Sequence, residues 1–228
     1  MYREWPSSVP HTTVWTAEPS RTESHRVLPD GCMDLMWYDE QLVIAGPDTS
    51  AQLADWRPGR DYVGLRFGSG VGPRVFGVPG HVLRDERVPL VEVWEPALVR
   101  RLREQLVHAP EPAAVLEKAA AEAMRRNLPP DPLGTYLMRR AVRGDRVDAI
   151  ADDTGLSIRQ LHRRCLDVFG YGPKTLTRIV RMNRALELAR TGMGLGDVAA
   201  TAGYADQPHL ARDVKQLAGV PVTALVRR

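Results

Sequence analysis

The 228-residue sequence has only two cysteines, Cys32 and Cys165. They are too few for a disulfide framework, so a reducing cytosol is the expected compartment. Cys32, beside Gly31, reads as a small buried hydrophobe. There is no run of eighteen apolar residues, so no transmembrane helix is expected. The opening MYREWPSSVPHTTVW lacks the apolar stretch of a signal peptide. GxSxG, P-loop and GxGxxG motifs are all missing. GSGVGP at residues 68–73 lacks the Lys-Ser/Thr of a phosphate loop and reads as a β-turn or hairpin loop. His11, His25, His81 and His108 show no paired spacing, so no metal site is expected. With no catalytic constellation either, neither an enzymatic activity nor a cofactor is expected.

Lysine is scarce, at positions 118, 174 and 215 alone, so the positive charge is almost all arginine. The net charge of +3 says little, but its distribution says more. Residues 131–228 hold 16 Lys+Arg against 10 Asp+Glu, whereas the first 130 residues hold 15 against 18. A basic C-terminal part is what phosphate binding requires.

That part repeats one plan. At residues 146–170, Val147, Ile150 and Ala151 lead into Thr154-Gly155-Leu156, and Ser157 opens a helix carrying Leu161, Cys165 and Val168. At residues 195–220, Val198 and Ala199 lead into Ala202-Gly203-Tyr204, and Asp206 opens a helix carrying Leu210, Val214 and Leu217. Ser157 with Gln160 forms a capping box, Asp206 is a good N-cap, and Pro208 is tolerable in a first turn. Gly155 and Gly203 stand where a left-handed residue is needed. Helix, glycine turn and second helix make a helix-turn-helix unit, whose second helix reads DNA. Opposite the apolar stripes lie Arg159, His162 and Arg163 in the first unit and Gln207, His209 and Arg212 in the second, with Lys215 further along. Arginine can fork onto guanine and glutamine can bond adenine. Between the units, residues 174–190 carry Leu176, Ile179, Met182, Ala185, Leu186 and Ala189 at helical period. That linker helix would span roughly 25 Å, which with the bodies of the units suits major grooves about 34 Å apart. Arg178, Arg181 and Arg184 on it are candidates for phosphate contacts.

These motifs (IADDTGLSIRQLHRR, FGYGPKTL, RMNRALELA, DVAATAGYADQPHLARDVK and GVPVTAL) resemble the DNA-binding domain of the AraC/XylS family of bacterial transcription regulators. The resemblance covers about the last third of the chain. It implies that Arg159, His162 and Arg163 hold base-reading positions, that Gln207, His209 and Arg212 hold comparable ones, and that Arg181 supports the linker and touches a phosphate. Leu210 and Val214 stand where the family usually has aromatics, and Pro208 where it has a polar residue. A smaller core and a less stringent second recognition helix are expected there. The resemblance also implies a cupin-like N-terminal β-domain that binds a small effector or makes dimer contacts.

Residues 1–90 read as β-structure. Short apolar runs (CMDLMWY, QLVIAG, YVGLRFG, PRVFGV) are separated by turn signals at residues 29–31, 46–48, 57–59 and 78–80. Helices follow at about 94–108 and 112–127, and prolines 129, 130 and 132 mark a boundary. The expected class is therefore α+β. Residues 1–128 form a β-sandwich or barrel-like domain with accessory helices. Residues 132–228 form an all-α domain of two helix-turn-helix units. Trp37, Tyr38, Trp56, Tyr62, Phe67 and Phe76, with Arg66 among them, either line an effector pocket or form the β-domain core, and both readings stand at this point. Arg66 needs an anionic partner, from the protein or from a ligand. The expected function is sequence-specific transcription regulation, with promoter DNA, a small effector, RNA polymerase and a second copy of the chain as partners and no membrane. The alternative is an enzyme or protein-interaction module that carries a targeting or degenerate DNA-binding domain.

Overall fold

A computed structural model describes residues 1–127 and 131–226; Pro129 and Pro130 of the expected boundary lie outside them. Among the described residues the β-structure has eight strands: β1 (Tyr2–Pro6), β2 (Thr12–Ala17), β3 (Glu23–Val27), β4 (Met33–Tyr38), β5 (Gln41–Ala45), β6 (Gln52–Trp56), β7 (Tyr62–Phe67) and β8 (Arg87–Pro89). Six form one antiparallel sheet in the order β1-β2-β7-β4-β5-β8, and β3 pairs with β6 apart from it.

Side-chain alternation gives the sheet two different faces. Met33, Leu35 and Trp37 of β4 and Val63, Leu65 and Phe67 of β7 are buried with Val75, Phe76, Leu102, Leu106, Leu116 and Ala120. The last six come from α1 (Gly72–Phe76), α2 (Pro96–Val107) and α3 (Pro112–Arg126), which cover this face. On the opposite face Trp15, Ala17 and Tyr62 form a smaller cluster with Met36, Tyr38 and Trp56. Trp15 lies flat across β7 because Gly64 is its cross-strand neighbour. A Cβ at Gly64 would come within 2.3 Å of the indole.

The sequence pattern misleads at one place. PRVFGV was expected to be strand-like, and GSGVGP before it a β-turn or hairpin loop. Residues 72–76 are instead helix α1, so the turn at Gly68 and Gly70 joins strand to helix. Pro73 suits the first helical turn, and Gly77 ends the helix at φ 76°, its N–H donating to the Pro73 carbonyl at 2.9 Å. Proline at the start and glycine past the end outweigh the β-branched run.

The C-terminal part contains α4 (Pro132–Arg143), α5 (Val147–Thr154), α6 (Ile158–Phe169), α7 (Pro173–Arg190), α8 (Leu195–Ala202), α9 (Gln207–Ala218) and α10 (Val222–Val226). One core unites them. The stripe Leu176, Ile179, Met182, Ala185, Leu186 and Ala189 of α7 packs with Leu161 and Cys165 of α6 and with Leu210, Val214 and Leu217 of α9. The smaller core expected at Leu210 and Val214 is nonetheless closed, both residues being fully buried.

Asp213 of α9 is 6% exposed and receives Arg178 Nη2 at 2.7 Å and Arg181 Nη2 at 3.2 Å. Arg181 also lies 4.2 Å over the Tyr204 ring, whose hydroxyl donates to Asp213 at 3.2 Å. A buried carboxylate held by two guanidinium groups fixes the angle between α7 and α9. Removing it takes the shared acceptor from two partly exposed guanidinium groups and from the Tyr204 hydroxyl, so Asp213→Ala is expected to lower stability by about 1–3 kcal/mol. Urea unfolding checks this; a change of under about 1 kcal/mol would contradict it.

Candidate nucleic-acid interface

Each recognition helix starts at a firm cap. The Ser157 N–H donates to Gln160 Oε1 at 2.9 Å, and the Gln160 N–H returns to Ser157 Oγ at 3.3 Å. The His209 N–H donates to Asp206 Oδ1 at 2.6 Å. Gly155 (φ 66°) and Gly203 (φ 82°) adopt the left-handed conformation that the turns demand.

The expected base readers divide by their surroundings. Arg159, Arg163, Gln207, Arg212 and Lys215 are exposed, with no hydrogen-bond or ion-pair partner among the described residues. Ser157, Gln160 and Asp206 are occupied in part by the caps. His162 is exposed, but its ring leans on the backbone at Gly172, where a Cβ would come within 2.5 Å. His209 is half-buried, edge-on to Tyr204 at 5.2 Å, and its Nδ1 accepts the Ala205 N–H at 3.4 Å. Arg178 and Arg181, for which a phosphate role was expected, are both paired with Asp213. Exposed Arg184 borders a groove beside His11 and Ser69 instead.

The β-structure holds the far ends of the same two helices. Arg84 Nη1 donates to the Gly170 carbonyl at 3.3 Å, and Gly80 meets Gly170 so closely that a Cβ would come within 2.7 Å of its nitrogen. His81 Nδ1 stands 3.4 Å from Asp167 Oδ1. At the end of α9, the Ala51 N–H donates to the Leu217 carbonyl at 2.7 Å and Arg26 Nη1 to the Ala218 carbonyl at 3.0 Å. Asn183 of α7 donates to the Pro29 carbonyl at 2.9 Å.

Between the sheet, the β3–β6 pair and α7 lies a cavity of about 420 Å³. Its aromatic wall includes Tyr2, Trp15, His25 and Trp56, the last two stacked at 4.5 Å. Arg66, Asp34 and Arg87 come from the sheet, and Asn183 and Arg190 from α7. Arg66 finds the anions it needs within the protein: Glu4 at 3.2 Å and Asp34 at 3.5 Å. Of the aromatics named from sequence, Trp56 lines this space, while Tyr38 and Tyr62 pack in the cluster of Trp15 and Trp56 and do not line it. Trp37, Phe67 and Phe76 belong to the opposite face, under α2 and α3, and cannot line it. Tyr2, Trp15, His25 and the α7 residues were not foreseen, because they meet from distant segments.

Burial pushes the Asp34 carboxyl up to about 6, against the opposing pull of the Arg66 guanidinium and the Trp15 N–H, which donates to it at 2.6 Å. The folded chain thus holds this proton more tightly than the unfolded chain. The resulting stabilisation is present below about pH 4 and is lost as pH rises through 6. The stability of the wild type relative to Asp34→Asn should therefore fall between pH 4 and 7 in urea titrations. A constant difference would contradict the shift.

Comparison with known proteins agrees with the helical part. Residues 150–228 match the family model described as a helix-turn-helix domain, and residues 10–89 match one described as a domain of unknown function (DUF6597). A search of curated proteins found no match. Among solved structures, the apo form of a ToxT variant from Vibrio cholerae strain SCE256 is similar with a TM-score of 0.48 and 11% identity, over 97% of this chain and 98% of that one. Wild-type ToxT of the same strain with unsaturated fatty acid bound gives 0.48 and 12%, over 94% of each chain. A probable AraC family transcriptional regulator from Rhodopseudomonas palustris gives 0.36 and 22%, over 41% of this chain and 90% of that one. At such identities and TM-scores these likenesses decide nothing about ligand or mechanism. Residues 150–228, about the last third of the chain, form a helix-turn-helix domain of the AraC type.

Proposed function

We propose that the protein reads two adjacent major-groove segments of promoter DNA and is controlled by a small molecule in the cavity between the sheet and α7. The observation that carries the DNA reading is the set of exposed, unpartnered side chains on the outer faces of two capped recognition helices in one core: Arg159 and Arg163 on α6, Gln207, Arg212 and Lys215 on α9. Guanidinium and amide groups there suit guanine and adenine edges. Ser157, Gln160 and Asp206 set the helix starts, with His162 and His209 at the margins of the reading faces. Arg181 serves by orienting α7 against α9.

The effector reading rests on where the cavity lies. Asn183 and Arg190 of the linker helix form part of its wall, so a bound molecule would touch the sheet and the DNA-binding part at once. Trp56 and Arg66 remain the effector residues in this reading, with Tyr38 and Tyr62 packed behind them in the same aromatic cluster; Trp37 and Phe67 do not. Units proposed at 1–128 and 132–228 then have separate tasks, effector binding and DNA binding. The further partners are RNA polymerase and a second copy of the chain, and the compartment is the cytoplasm. No helix among the described residues is long and apolar enough to cross a membrane.

Selection of sheared host DNA by the purified protein tests the main reading. Enriched sites should contain two half-sites about one helical turn apart. Arg163→Ala should then cost about 1–3 kcal/mol at one base position and relax specificity there. Equal loss on specific and random DNA would contradict a base-reading role. For the cavity, Ala54→Trp should fill the space beside Trp56. It should abolish any response of DNA binding to added metabolite extract while leaving extract-independent binding unchanged. A response that survives the filled cavity would place the effector elsewhere.

A further inference from the structure

Ile158 is the first residue of α6 and is 59% exposed. An isolated surface isoleucine carries little meaning in itself; the surroundings of this one carry more. Its neighbour Ser157 is locked by the capping box, and a β-branched side chain in a first helical turn has few rotamers, so the exposed methyl groups point in a defined direction. Arg159 follows it, and His162 lies one turn on along the same edge. The exposed residues beside it, Arg159, Gln160, His162, Arg163 and Arg164, are all polar. Arg164 is turned back to Asp131 at 2.9 Å, whereas Arg159 and Arg163, without a partner among the described residues, lie together on one side of the isoleucine. The corresponding first position of α9 is Gln207, so the two recognition helices differ here in kind.

The N-terminal residues of a recognition helix approach base edges. On those edges in the major groove, the apolar group on offer is the C5-methyl of thymine. Building on the DNA reading above, we propose that Ile158 is a specificity-determining residue. It packs against the C5-methyl of one thymine at the edge of the first half-site, while Arg159 and Arg163 engage the flanking polar edges. The difference from Gln207 gives the two half-sites unequal sequences and so gives the whole site a direction.

The test removes one methyl at a time. Each thymine of the selected first half-site is replaced singly by deoxyuridine, and binding of the wild type and of Ile158→Ala is measured by mobility shift at fixed salt. Deoxyuridine at one position should weaken wild-type binding about three- to five-fold, the worth of one methyl removed from water. Ile158→Ala should bind the thymine site about as weakly and should not respond to deoxyuridine there. Ile158→Gln, copying the residue that opens α9, should move the preference at that position from thymine towards adenine. Thermal unfolding of both variants should match the wild type, since the side chain is exposed. Indifference of the wild type to deoxyuridine at every thymine, or full sensitivity kept by Ile158→Ala, overturns the inference. If Arg163→Ala still relaxes specificity in that case, the DNA reading stands and only the role of Ile158 falls. Absence of any selected site overturns both.

Discussion

The apolar stripe of α7 is the constraint on which the DNA-binding part depends. Neither helix-turn-helix unit has a closed core of its own: Leu161 and Cys165 from one and Leu210 and Val214 from the other meet Leu176, Ile179, Met182 and Leu186 in a single cluster. An eighteen-residue helix is stiff along its axis, so sharing it converts two small helical pairs into one body. Asp213 then fixes rotation about that body, because Arg178, Arg181 and Tyr204 all converge on it. Apolar burial supplies cohesion there, and the buried carboxylate supplies orientation. An apolar residue in place of Asp213 would keep some of the first and none of the second.

The two parts of the chain were not equally legible in the sequence. Helical period, a capping box and left-handed glycines are local signals, and residues 146–220 carry all of them in order; the helices start and end where those signals stand. Arg66 was legible for a different reason. A guanidinium among apolar residues must find an anion, and Glu4 and Asp34 provide two. The cavity was not legible. Neighbouring strand residues face opposite ways, so Trp37 and Tyr38, or Arg66 and Phe67, part company as soon as one face is assigned. The imperfect alternation of CMDLMWY does not assign it from sequence. The register does: Trp15, Gly64 and Met36 stand side by side on one face, and Gly64 leaves the room that the indole occupies. Tyr2, His25 and Asn183 then reach the same space from the first strand, from the separate β3–β6 pair and from the linker helix. No short window contains that arrangement.

PRVFGV shows the converse failure, a local pattern read with the wrong period. Val75 and Phe76 are buried as a strand pair might be, yet Pro73 and Gly77 bracket a single helical turn. Its placement matters beyond itself, because this turn packs on α3 and sends the chain from the end of β7 to the segment that touches α6.

At the centre of the contact between that segment and α6, backbone meets backbone. Gly80 packs on the Gly170 backbone and Gly170 is also pressed by the Pro47 ring, so neither position can be enlarged without prising the surfaces apart, and neither offers a group whose chemistry can be adjusted. The strength of this seam must therefore be set at its rim, by Arg84 on the Gly170 carbonyl and by the pairing of His81 with Asp167. Such a seam has an invariant centre and a tunable margin. Related chains could loosen or tighten the hold of the β-structure on the first recognition helix by exchanging rim residues alone, leaving the fold and the DNA-reading face untouched.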